Sequence, residues 1–120
     1  MNEYTQLVEG LNKGKAIWVD DLRPIRKGFD IWAKTYQEAI KAIDNNDIVK
    51  ISFDHDLGPD SKMTAYGQER EATGNDVAKY IEMLAQQGKM DRVEWNVHSA
   101  NPTGERNIVA TMKSAERFWK

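Results

Sequence analysis

Apolar positions along this chain recur in two periods, and the switches between them mark out the elements. Val49, Ile51 and Phe53 alternate with Lys50 and Ser52, the period-two pattern of a strand with one buried face. Ala16-Ile17-Trp18-Val19 is a short apolar run of buried-strand type, and Phe29 to Ala33 is another. From Arg92 to Val97, Val93, Trp95 and Val97 alternate with Glu94 and Asn96. Helical spacing joins Tyr4, Leu7, Val8 and Leu11 over residues 3–12, with Gly14 as the stop. It recurs in Ala39, Ile40 and Ile43 after Thr35, where Glu38 supplies a capping box and Asn45-Asn46-Asp47 ends the run. Val77, Tyr80, Ile81 and Leu84 predict a helix from Thr73 to Gly88, and Ile108, Val109, Met112 and Ala115 predict one over 105–118. Residues 58–72 carry no period. They predict a mobile loop over the carboxyl end of the 49–53 strand, of a length that often serves as a lid.

The order is helix, strand, strand, helix, strand, helix, strand, helix. It predicts a mainly parallel α/β sheet of about four strands, in one domain spanning 1–120 with 1–15 as a helical extension. Lys50, Ser52, Glu94 and Asn96 are polar where a doubly covered parallel strand is apolar on both faces. One sheet face is therefore expected to be partly uncovered, leaving room for an end helix or for a second copy in a homo-oligomer.

Three strands run into polar clusters: Asp20-Asp21, Asp54-His55-Asp56 and His98-Ser99. Like charges crowded at a half-buried strand end cost stability, so folding alone does not account for them. In a parallel sheet the carboxyl ends share one rim, where open α/β folds bind ligands. Leu22-Arg23-Pro24 argues against a helix after Asp21, because the residue before proline avoids the helical region. A basic loop over 22–28 is expected instead.

Composition narrows the partners. At 120 residues there is material for one core. The net charge of −2 gives no overall basic field to recruit duplex DNA or anionic lipid. There is no cysteine, which removes disulfides, thiolate nucleophiles and cysteine zinc sites. No apolar run nears the about 18 residues of a spanning helix, and Met-Asn-Glu-Tyr has no signal-peptide pattern, so a cytoplasmic location is expected.

An apolar strand, Asp-Asp, a helix and a strand ending in Asp resemble the response-regulator receiver fold, which is flavodoxin-like. In receivers the acidic pair binds magnesium and the third-strand Asp accepts a phosphoryl group; Asp20, Asp21 and Asp54 stand at those positions, and Ser99 near that of the fourth-strand Ser or Thr. Only about nine residues separate Asp21 from Ile31, too few for the first receiver helix, and the chain lacks a fifth strand with its lysine. That truncation speaks against ordinary phospho-Asp signalling. Trp18-Val19-Asp20-Asp21-x-Arg23-Pro24, Phe53-Asp54-His55-Asp56-Leu57-Gly58, Thr73-Gly74-Asn75-Asp76-Val77 and His98-Ser99-Ala100-Asn101-Pro102-x-Gly104 together resemble the cyclic-phosphate processing receiver domain, over about 16–110. The resemblance implies processing or sensing of cyclic phosphates on nucleotides or RNA ends, in bacteria or their phages.

Opening such a ring needs charge on the phosphate oxygens, an activated water and an acid for the leaving oxygen. Asp20, Asp21, Asp54 and Asp56 offer hard oxygen ligands for Mg²⁺ or Mn²⁺. His98 is the first candidate for general acid or base and His55 the second, since imidazole titrates near neutrality. The helix starts at Thr73-Gly74-Asn75 and Asn101 to Gly104 present backbone N–H groups to an anion, a role compatible with plain capping. Arg23 and Arg106 are candidate phosphate clamps, and Asn101 and Asn107 candidate readers of base or sugar. Three outcomes stay open: a metal-dependent cyclic phosphodiesterase, a binder of phage anti-defence type that sequesters a cyclic nucleotide uncleaved, and a degenerate receiver acting as an interaction module.

Overall fold

The structure is a computed structural model and describes residues 14–119. The helix expected over 3–12 lies outside the described residues. Four parallel strands form the sheet: β1 (Lys15–Val19), β2 (Ile31–Ala33), β3 (Ile48–Phe53) and, after a hairpin, β6 (Glu94–Val97), in the order β2-β1-β3-β6. This is the receiver-like, flavodoxin-like arrangement expected, with no helix between β1 and β2 and no fifth sheet strand among the described residues. The helices are α1 (Tyr36–Asn45), α2 (Gly74–Gln86) and α3 (Pro102–Glu116).

The register follows from the alternation. Ile17, Ile31, Ile51 and Trp95 align across the sheet, as do Val19, Ala33, Phe53 and Val97. These rows feed a core completed by Ala39, Ile43, Val77, Ile81, Ile108 and Met112 from the helices. The intervening row, Trp32, Trp18, Ser52 and Asn96, faces the other way. Loop 20–30 covers part of that face: Phe29 packs edge-on to Trp18 with ring centroids 5.1 Å apart, and Asp30 Oδ2 accepts from the Ala16 N–H at 2.8 Å. Trp18 is thereby buried, whereas Glu94 and Asn96 stay exposed.

Three expectations need correction. Residues 58–72 are not a structureless loop. They contain an antiparallel hairpin, β4 (Lys62–Ala65) and β5 (Gln68–Glu71), turned at Tyr66-Gly67 with both φ angles positive, as a type I′ hairpin turn requires. The pattern hides it because β5 is exposed throughout and no apolar face alternates. The hairpin is tied to the start of α1 by Tyr36 N–H to Ser61 Oγ (2.9 Å) and Lys62 N–H to Gln37 Oε1 (2.9 Å). The last helix begins at Pro102 rather than near 105: Asn101 caps it by accepting from the Gly104 N–H at 3.0 Å, and proline suits the first helical position, where no N–H is needed. The strand expected over 29–33 is shorter, Ile31–Ala33.

Candidate functional site

The ladders continue past the strand ends and carry the acids into alignment. Asp20 N–H donates to Ala33 O (3.1 Å), Asp54 N–H to Val19 O (2.8 Å) and His98 N–H to Phe53 O (2.9 Å). Each chemical residue is thus held by a backbone bond to the neighbouring strand. Asp20, Asp21 and Asp54 each offer an oxygen, and these oxygens lie within 4.8 Å of one another. They line a depression of about 370 Å³ with Arg23, Asp56, Gly58 and Ala100, a size suited to a small ligand. Volume does not single it out: a groove of about 510 Å³ between β2 and α1 has one carboxylate in its lining, Glu38.

Asp20 is fully buried and accepts from four donors. Its Oδ1 takes the N–H groups of Leu22 and Arg23, both at 2.8 Å, which folds residues 20–23 into a turn in place of a helix. Its Oδ2 takes Arg23 Nη1 at 3.1 Å and His98 Nε2 at 2.9 Å. Burial pushes this carboxyl up, but the Arg23 and Leu22 amides, the guanidinium and the imidazole together hold it below its ordinary value. Asp54 goes the other way. Burial first, then the neighbouring Asp20 charge, raise it, against the His55 amide, Arg23 and Ser99. Arg23 lies 3.7 Å from Asp54 Oδ2, so one guanidinium serves both acids.

His98 is held on every side. Nδ1 is 2.7 Å from Ser52 Oγ, Nε2 meets Asp20, and the ring stacks on Trp18 at 3.9 Å with an interplanar angle of 2°. Burial lowers its pKa, partly opposed by Asp20. Sequence reasoning passed over Ser52 and Trp18 as site residues. A signal was present: each lies two positions before an acid, Asp54 or Asp20, and so on the same strand face.

The other candidates divide. Ser99 helps to hold down the Asp54 carboxyl and accepts from the Asn101 N–H at 3.1 Å, so it belongs to the rim. Asp56 borders the depression outside the trio of acids. Its carboxylate is engaged by His55 Nδ1 (2.8 Å) and Asn101 Nδ2 (3.3 Å). His55 packs under α3, where a Cβ on Gly104 would fall 2.3 Å from its Cγ, so it holds the helix start in place. Thr73 donates to Asp76 at the start of α2, and Asn75 accepts from Thr111 Oγ1 at 2.8 Å; neither lines the depression. Arg106 is exposed and turns to Thr103, and Asn107 is exposed further along α3. Of the stretch 58–72, only Gly58 lines the depression.

Among the described residues no helix is long and apolar enough to cross a membrane. No curated protein and no solved structure gives a significant match to this chain. The sequence profile of the cyclic-phosphate processing receiver domain matches residues 15–114, which takes in all four strands of the sheet and all the acids of the rim. The chain belongs to the cyclic-phosphate processing receiver domain family.

Proposed function

We propose that this domain binds a cyclic phosphate on a nucleotide or RNA end at the β1–β3–β6 rim and opens the ring with a Mg²⁺ or Mn²⁺ ion held by Asp20, Asp21 and Asp54. The observation that carries the reading is the trio of carboxylates, from two adjacent strand ends, with one oxygen each inside a 4.8 Å circle. Such a set has the hard oxygen donors these ions favour. When bound, the ion supplies positive charge to the phosphate and lowers the pKa of water. Asp56 lies outside this cluster and is left out of the ligand set.

The chain's own residues divide the remaining work. Arg23, now the counter-charge of Asp20 and Asp54, turns its guanidinium to a non-bridging phosphate oxygen. Hydrolysis forms one P–O bond to the water oxygen and breaks one ring P–O bond, and the departing sugar oxygen takes up a proton. We assign that proton to Nε2 of protonated His98, which gives up its bond to Asp20 as it donates and is restored by the proton that the attacking water releases. Ser99 and the Asn101 cap steady Asp54 and the rim.

A second reading, retention of a cyclic nucleotide without cleavage, is favoured by one observation: both nitrogens of His98 are bonded and its side chain is only 13% exposed, which leaves no free base. One experiment separates the two. The purified chain is incubated with 2′,3′- and 3′,5′-cyclic nucleotides and with RNA ending in a cyclic phosphate, with Mg²⁺ or Mn²⁺, and bound, cleaved and untouched species are separated by chromatography. Ring opening that disappears in Asp54→Ala and His98→Ala supports the hydrolase. Ligand recovered intact after denaturation supports retention. A chain that neither binds nor cleaves any member of the panel overturns both.

A further inference from the structure

The hairpin and the groove beside β2 are two features that the rim chemistry leaves unused. The hairpin is an arm with a fixed base. Ala72 N–H donates to Ser61 O at 2.8 Å, Tyr36 N–H and Gln37 tie the base to the start of α1, and Arg70 pairs with Asp76 at 2.8 Å. From there its four-residue strands reach outward by about 13 Å. At the tip stands Tyr66, fully exposed, with φ at 53°. The first position of a type I′ turn favours Asn, Asp or Gly, because a positive φ crowds a bulky side chain. Tyrosine there works against the turn and gains no burial from its own chain. Lys62 stands opposite Glu71 in the register and Arg70 is engaged by Asp76, which leaves Glu69 as the uncompensated charge nearest the tip.

The groove has the complementary character. Its about 510 Å³ between β2 and α1 are lined by apolar Ile31, Trp32 and Ala42 and by charged Lys34, Glu38 and Lys41. Lys34 Nζ lies 4.3 Å from the Trp32 ring centroid, and Glu38 Oε2 accepts from the Lys34 N–H at 2.7 Å. Two lysines against one glutamate leave the groove net positive.

We propose that the Tyr66 arm docks in the β2–α1 groove of a second copy of this chain, with Tyr66 against Ile31, Trp32 and Ala42 and Glu69 against Lys41. Both halves belong to one flank of the molecule: the arm is tied to Tyr36 and Gln37 at the start of α1, and the groove runs on past Glu38, Lys41 and Asn45. Two copies related by a two-fold axis therefore exchange arms, make the contact twice and close. A nucleic-acid strand is the poorer fit, since Glu69 and Glu71 lie beside the tip and repel phosphates. Arm and groove share no residue with the acid-lined depression, so this contact and the rim chemistry are tested separately.

The test is sedimentation equilibrium of the full chain from about 1 µM to about 300 µM, a range that captures contacts of modest affinity. A monomer–dimer equilibrium is expected. Tyr66→Asn should raise the dimer Kd by about thirtyfold or more, the scale of a lost aromatic anchor. The same variant should hold or raise the Tm of the dilute monomer, because Asn suits the turn, which separates a lost contact from a lost fold. Tyr66→Phe should keep the dimer. Lys41→Glu and Glu69→Lys should each weaken it, and the two together should recover most of the loss. A chain that is monomeric throughout, a dimer untouched by Tyr66→Asn, or a double variant with no recovery overturns the proposal. So does a monomer whose affinity for single-stranded RNA falls in Tyr66→Asn, an outcome that would assign the arm to nucleic acid.

Discussion

Adding one methyl group at Gly74 tests whether the rim is built as described. Gly74 opens α2, its N–H donates to His55 O at 2.8 Å, and a Cβ built there would lie 1.9 Å from the carbonyl oxygen of Asp54 and 3.2 Å from His55 Cα. Both are backbone atoms that no rotamer change can move. Reaching ordinary contact requires α2 and the end of β3 to part by more than about 1 Å, in a core whose packing transmits such shifts. Alanine returns at most about 1 kcal/mol through helix propensity. Overpacking against rigid neighbours costs more, so Gly74→Ala should lose about 2–4 kcal/mol net. In a chain of this size that lowers Tm by about 10 °C or more. The assays are urea unfolding followed by circular dichroism and, below Tm, Mn²⁺ titration by calorimetry. Affinity should fall with stability, because the carbonyl displaced is that of Asp54 itself. A variant within about 0.5 kcal/mol of the wild type, with unchanged metal affinity, would refute the packing of α2 on Asp54 and with it the way the rim is held.

Three further outcomes follow from the charges and the hairpin. Asp54→Asn should remove most Mn²⁺ or Mg²⁺ affinity by calorimetry yet raise metal-free stability by up to about 1 kcal/mol, since a buried carboxylate beside Asp20 is costly when ionised; a loss of stability without metal would contradict that account. At Asp76, burial pushes the carboxyl up, but Arg70 and Thr73 more than offset it and hold it below 3.8. Its contribution is therefore complete above that value and is lost as pH falls through the folded pKa. Asp76→Asn should cost about 1 kcal/mol at pH 7, with the gap to the wild type closing below about pH 4 in acid-unfolding curves. Replacing 62–71 by a short turn should leave metal affinity within about twofold, since the hairpin does not line the depression, while lowering stability through loss of the Arg70–Asp76 pair; metal affinity lost along with the hairpin would revive the lid.

The alternation around Ile17, Ile51, Phe53, Trp95 and Val97 and the helical stripes behind it contained the sheet, its parallel sense and the helices that cover it, because burial enforces those periods locally. The same alternation placed the acids after β1 and β3 and the imidazole after β6. What residues share a rim was therefore legible, as was the missing helix between β1 and β2, from the spacing and Pro24. The hairpin at 62–71 was not, because β5 is polar and exposed throughout and the half-buried Met63 and Ala65 of β4 make too short an alternation to read. Nor were the partners of individual side chains. His55 and His98 look alike in sequence, each beside a polar neighbour at a strand end, yet one packs under Gly104 and the other joins Ser52 to Asp20 across three strands. Periodicity is a property of nearby residues, whereas a bond between positions 52, 98 and 20 exists only once the strands have been set side by side.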